Sequence, residues 1–144
     1  MAEKRDGKIG AQHYNSQAAL FGQSVKEMGK LLDIIGGKPE NLIHGVGDLY
    51  VTVFGGRTRK IGTLLGRGLS FEEAMEELKG VTLESIVIAT RTARAVKKMA
   101  ERNVIFLDDF PLLMHIDTLI NEGAEVNIPW KTFTWEDFGK VGEV

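Results

Sequence analysis

Apolar residues recur at spacings of three and four along most of the chain, the period of one helix face. From Ala11 to Ile35 the positions Ala18, Leu20, Phe21, Val25, Met28, Leu31, Leu32 and Ile35 keep this rhythm and predict a long first helix. Gly36 and Gly37 stop it, since glycine takes the left-handed conformation after a helix without a Cβ clash. Pro39 suits the first position of a short helix opening at Lys38. Gly45 and Gly47 predict a break before Asp48 to Phe54, a compact apolar segment that fits a strand as well as a buried helix. Ile61, Leu64 and Leu65 mark the next helical face, which ends at Gly66, Arg67 and Gly68. Ser70 with Glu73 forms a capping box for a helix from Phe71 to Leu78.

Thr82 to Glu101 reads as a long helix with Ile86, Ala89, Ala93, Val96 and Ala100 inward. Its last turns carry Arg94, Lys97 and Lys98, suited to the negative end of the helix dipole. Asp108 or Asp109 is the expected cap of a helix around Pro111 to Asn121, closed by Gly123. The tail from Ile128 holds both tryptophans and a capped turn expected at Thr134 to Asp137. No strand-like run alternates with these helices, which argues against a βαβ domain. The expected fold is all-α, with six or seven helices in a single domain.

A length of 144 residues suits one such domain. Eighteen basic and twenty acidic residues leave a net charge of −2, so neither a nucleic-acid nor a membrane surface is expected as partner. Cysteine is absent, which removes disulfides, thiolate metal sites and cysteine nucleophiles together. The leading residues have no apolar core, no signal peptide is expected, and the cytoplasm is the expected location.

Few segments carry chemistry. Gly45-Val46-Gly47-Asp48-Leu49-Tyr50 begins like a dinucleotide loop, but Tyr50 replaces the third glycine and no strand precedes it. Gly55-Gly56-Arg57-Thr58-Arg59-Lys60 is a better candidate. Two glycines allow close backbone approach, a helix start exposes N–H groups, and Arg57 can grip a phosphate with two parallel hydrogen bonds. No acidic residue stands between Tyr50 and Ser70. An anion site and a plain helix start with solvated basic residues both fit these residues. Asp48 and Thr52, four apart, share a face if the segment is helical; Asp48 is equally suited to capping. His13, His44 and His115 lack metal-ligand spacing, and His115, set among apolar neighbours, reads as a packing residue. Glu72, Glu73, Glu76 and Glu77 read as a solvated helix face, and Trp130, Phe133, Trp135 and Phe138 as a cover over the core or, if exposed, a partner surface.

The run from Gly45 to Lys60 resembles the substrate-binding signature of NAD(P)-dependent glycerol-3-phosphate dehydrogenases. There a Gly/Ala-Asp-Leu segment leads through a threonine to Gly-Gly/Ser-Arg-Asn-Arg. The resemblance continues through Leu64 to Ala74, Thr92 to Val96 and Phe110-Pro111-Leu112, in order along the chain. It implies an all-α fold like the C-terminal helical domain of glycerol-3-phosphate and 6-phosphogluconate dehydrogenases. Residues 11–144 would be the substrate-binding domain. Residues 1–10 would connect to an N-terminal Rossmann domain outside this chain, which would bind most of the NAD or NADP.

Position by position, Asp48 would lie beside the reacting hydroxyl and orient a catalytic lysine, with Thr52 contacting substrate or lysine. That lysine belongs to an Ala-Leu-Lys-Asn segment this chain does not contain. Arg57 would hold the substrate phosphate and approach the cofactor, alongside Gly56. Thr58 stands where the family has asparagine. Asn15 matches a motif of the first long helix, and Glu84 a glutamate that nears the cofactor, followed by Ser85 where the family has glycine. The implied substrates are glycerol 3-phosphate and dihydroxyacetone phosphate, with no metal, and a homodimer is open. The alternative is a non-enzymatic helical module, derived from the same domain, that acts by dimerising or binding phosphate.

Overall fold

Helical periodicity dominates the described residues, 13–133, of the computed structural model. They form α1 (Tyr14–Ile34), α2 (Leu42–Phe54), α3 (Arg57–Gly66), α4 (Phe71–Glu77), α5 (Glu84–Glu101) and α6 (Pro111–Asn121). Short 3₁₀ turns at Pro39–Asn41, Leu107–Asp109 and Trp130–Thr132 link or follow them, and no strand occurs among the described residues. The expected connection 1–10, the start of the first helix at 11, and the turn at 134–137 with Trp135 and Phe138 lie outside the described residues.

The break expected at Gly45 and Gly47 does not occur, and Asp48 to Phe54 is helix rather than strand. Two interior glycines cost a helix about 1 kcal/mol each, but packing of α2 on α1 offsets this. A Cβ on Gly45 would sit in ordinary van der Waals contact with Met28 Sδ at 3.6 Å, and one on Gly29 with Leu42 Cδ2 at 3.6 Å, so α1 and α2 pack closely at both glycines. The apolar residues of α2 are nonetheless not core: Tyr50, Val51 and Phe54 are 59%, 69% and 64% exposed.

Ile61 of α3, Ala74 of α4 and Leu83 form one buried cluster, walled by Leu64, Leu65, Phe71 and Ile86. The Ser70–Glu73 capping box forms as expected: Ser70 Oγ accepts from the Glu73 amide at 3.2 Å, and the Ser70 amide donates to Glu73 Oε2 at 2.7 Å. The Ser70 amide and hydroxyl hold the Glu73 carboxyl below its usual range. α5 packs along α6, and Ala93, Val96, Phe110 and Leu119 are buried on these elements. Phe133 is buried as expected, but Trp130, edge-on to it at 5.6 Å, is half exposed.

Neither Asp108 nor Asp109 caps α6. Phe110 holds the N-cap position without a side-chain bond, and Pro111 follows it. The cap comes instead from α1: Glu27 Oε1 accepts from the Leu112 amide at 2.8 Å and Oε2 from the Leu113 amide at 2.9 Å. Gln23 Nε2 donates to the same carboxylate at 2.8 Å. Thus the buried residues of α1 are Gln23 and Glu27, whereas Ala18 of the apolar spacing is exposed, as is Ile35 just past the helix end. Asp109 pairs with Lys30 of α1. Lys97 turns to α6 and pairs with buried Asp117, which also accepts from Asn121 Nδ2 at 2.7 Å. The hydrogen bond to Asp117 raises the Lys97 pKa. His115 is a satisfied packing residue: its Nε2 accepts from the Asn127 amide at 3.3 Å, and burial pushes its pKa down.

Candidate functional site

The last turns of α2, the Gly55–Gly56 turn and the first turn of α3 follow one another directly, and most candidate residues stand on them. With 3.6 residues per turn, Asp48 and Thr52 lie one above the other on α2. Helix formation here settles which alternative holds: the two do share a face, and Asp48 sits within α2 rather than at its cap. The Thr52 hydroxyl donates to the Asp48 backbone carbonyl at 2.9 Å, and the Asp48 side chain is exposed. Tyr50 and Phe54, stacked edge-on at 4.9 Å, form an exposed apolar strip on the same helix.

Gly55 is extended, and Gly56 adopts φ +93° as the N-cap of α3. A Cβ there would meet nothing within 4 Å, so the requirement for glycine is conformational, not spatial. Gly56→Ala is expected to cost about 1–2 kcal/mol of stability and to shift the amide resonances of Arg57 and Thr58, checked by urea denaturation and NMR. Arg57 is the first residue of α3 and exposed, and no side chain caps that helix start. Arg59 instead closes the preceding helix, its guanidinium donating to the Phe54 carbonyl at 3.0 Å.

Thr58 reaches across to α5, its Oγ1 donating to Ser85 Oγ at 2.8 Å. Thr58 and Ser85, two of the positions at which the chain departs from the family signature, are therefore partners. The bond ties the start of α3 to that of α5, where Glu84 is exposed in the first turn. Asn15 stands exposed in the first turn of α1. Among the described residues no hydrogen bond joins Asn15 or Glu84 to Asp48, Thr52 or Arg57. A cleft of about 520 Å³ opens on the other side of the glycine turn, lined by Gly55, Gly56, Arg59, Lys60, Thr63 and Arg67 among others. Asp48, Thr52, Arg57 and Thr58 are not on its wall.

Among the described residues no group of histidine, aspartate and glutamate side chains could hold a metal ion. None of the described helices is long and apolar enough to cross a membrane. The residue that sequence reading missed as a partner is Ser85. Its signal was that both it and Thr58 are hydroxyl residues at positions where the signature has neither.

Residues 7–130 match the family described as NAD-dependent glycerol-3-phosphate dehydrogenase C-terminus. The chain is 35% identical over 116 residues to an NADP(+)-dependent glycerol-3-phosphate dehydrogenase of Archaeoglobus fulgidus, covering 78% of this chain and 33% of that protein. It is 35% identical over 112 residues to a glycerol-3-phosphate dehydrogenase [NAD(P)+] of Aromatoleum aromaticum, covering 75% and 32%. A protein of the same description from Xanthomonas euvesicatoria pv. vesicatoria is 38% identical over 97 residues, covering 65% and 27%. The chain thus spans about a third of the length of the curated relatives it matches. No solved structure matches it.

Proposed function

The chain belongs to the NAD-dependent glycerol-3-phosphate dehydrogenase C-terminal family, and from that membership we propose that it is the substrate-binding part of an enzyme interconverting glycerol 3-phosphate and dihydroxyacetone phosphate. The observation that carries this reading is the sequence of α2 face, glycine turn and α3 start: a carboxylate and a hydroxyl on one side, an exposed arginine at an uncapped helix N-terminus on the other. Such an arrangement suits a small molecule with hydroxyls at one end and phosphate at the other.

In this reading Arg57 binds the phosphate bidentately, and the N–H groups of the α3 start, shaped by Gly56, add favourable partial charge. Thr58 adjoins them. Asp48, one turn before Thr52, accepts a hydrogen bond near the reacting hydroxyl and orients a lysine contributed by an N-terminal domain outside this chain. NAD or NADP, bound mainly by that domain, supplies or accepts the hydride. The chain's own residues suited to face it are Arg57 and Glu84, the latter next in sequence to Ser85, to which Thr58 is bonded. Asn15 is a further substrate-side residue on the α1 start. Residues 1–10 connect the two domains, the protein works in the cytoplasm, and a homodimer is its assembled form.

The test is an NMR titration of the labelled chain with glycerol 3-phosphate, with glycerol as control. The expected result is a set of shifts clustered at Asp48, Thr52 and Gly55 to Arg59 with glycerol 3-phosphate alone. Shifts scattered over the basic surface, or none at millimolar ligand, would sink the reading. The chain alone is expected to show no turnover with NADH, because the hydride donor must be held about 3–3.5 Å from the carbonyl carbon.

A further inference from the structure

Arg59 spans the glycine turn. Its guanidinium, in the first turn of α3, donates at 3.0 Å to the carbonyl of Phe54, the last residue of α2. The other five α-helices are closed at their C-termini by backbone amides. Gly37 donates to the Leu32 carbonyl after α1, Gly68 to Leu65 after α3, and Lys79 to Glu76 after α4. Asn103 donates to Ala100 after α5, and Ala124 to Thr118 after α6. After α2 this closure is missing: among the described residues, no amide of Gly55, Gly56 or Arg57 bonds back to an α2 carbonyl. The Arg59 side chain takes over what the backbone does elsewhere.

The turn it spans is also where stiffness is hardest to supply. Two consecutive glycines give the freest backbone a chain can have, and Gly56 is held at φ +93°. The helices on either side pack on different neighbours. α2 lies along α1, whereas Ile61 of α3 is buried with Ala74 of α4 and Leu83. Asp48 and Thr52 belong to the first group, and Arg57 with the α3 start belongs to the second. The distance between the two ends of the candidate site is therefore set through Gly55 and Gly56. A ligand that needs both ends binds the fraction of molecules in which the turn has the right shape, and its affinity falls in proportion to that fraction.

We propose that Arg59 is a positioning residue: by clasping the Phe54 carbonyl it fixes the glycine turn, and with it the placement of Arg57 relative to Asp48 and Thr52. The proposal rests on the reading of Arg57 as phosphate anchor and adds what sets the anchor's distance from the hydroxyl end of the substrate. Arg59 itself touches no substrate. One guanidinium nitrogen makes the bond, so a donor at the end of a long side chain is what the position requires.

The experiment combines NMR relaxation of the labelled 144-residue chain with glycerol 3-phosphate titrations at two salt concentrations. Arg59→Met keeps the aliphatic stem and removes the donor. It is expected to lower the amide order parameters of Gly55 and Gly56 from about 0.85 to below about 0.6. Affinity should weaken about fivefold, the scale of one exposed hydrogen bond. The loss should be equal at about 0.01 M and 0.1 M salt, although screening shortens from about 30 Å to about 10 Å between them. Arg59→Lys, which keeps a donor, should recover both the order of the turn and the affinity. A loss confined to the lower salt would make Arg59 a diffuse attractive charge and overturn the proposal. So would a turn as rigid in Arg59→Met as in the wild type. If Arg57→Ala loses binding while Arg59→Met keeps it, this proposal fails and the anchor reading stands. If the wild-type chain binds no glycerol 3-phosphate, both fall.

Discussion

Glu27→Ala is expected to destabilise the chain by about 3 kcal/mol, a large share of the stability of a domain this size. Among the described residues, the substitution removes the only side-chain acceptor at the α6 N-terminus and strands the Leu112 and Leu113 amides in a part-buried position. Each donor left without a partner costs about 1–3 kcal/mol, and loss of a cap alone costs about 1 kcal/mol. Gln23 also loses its partner. Glu27→Gln keeps one carboxyl-like oxygen but loses the second and the negative charge opposite the helix dipole, so it should fall between. Urea denaturation at constant pH would show this as midpoints ordered wild type, Glu27→Gln, Glu27→Ala with an unchanged slope. Equal stability of all three would mean that water satisfies the two amides.

Arg57→Ala is expected to lower the affinity of the chain for glycerol 3-phosphate about 100-fold. Two parallel charge-assisted bonds are lost, together worth about 3 kcal/mol, and every 1.4 kcal/mol is tenfold. Arg57→Lys keeps the charge without the planar fork and should recover only part of the loss. Lys60→Ala, which removes a nearby exposed charge from the wall of the separate cleft, should change affinity by less than about threefold. Titrations at one ionic strength are required, because exposed charges are screened over about 10 Å at 0.1 M salt. Equal losses for Arg57→Ala and Lys60→Ala would point to diffuse attraction and not to a site.

The helices were legible because apolar spacing, the Ser70–Glu73 box and the glycine stops are local signals acting within a few residues. The α2 glycines were misread for the opposite reason: α2 packs along α1, with Met28 beside Gly45, and no local pattern reports that packing. The cap of α6 failed likewise. Asp108 and Asp109 are the nearest carboxylates in sequence, but the chain folds Glu27 onto the helix start instead. One trace was available, since Gln23 and Glu27 fall in phase with Leu20 and Leu31 on one helix face. At the candidate site, the signature residues named Asp48, Thr52 and Arg57, and spacing put the first two on one face once the segment was known to be helical. The Thr58–Ser85 contact depends on where α5 docks, which is a property of the packed domain.

The Glu27 cap has a consequence for synthesis as well as for stability. Its partners lie 85 and 86 residues further along the chain. At about 5–20 residues per second, α1 leaves the ribosome roughly 4–17 s before the helix start it must engage. Through that interval a fully apolar face on α1 would be open to wrong partners. A glutamine and a glutamate at its two most buried positions keep the waiting surface hydrated, until Leu112 and Leu113 arrive to replace the water.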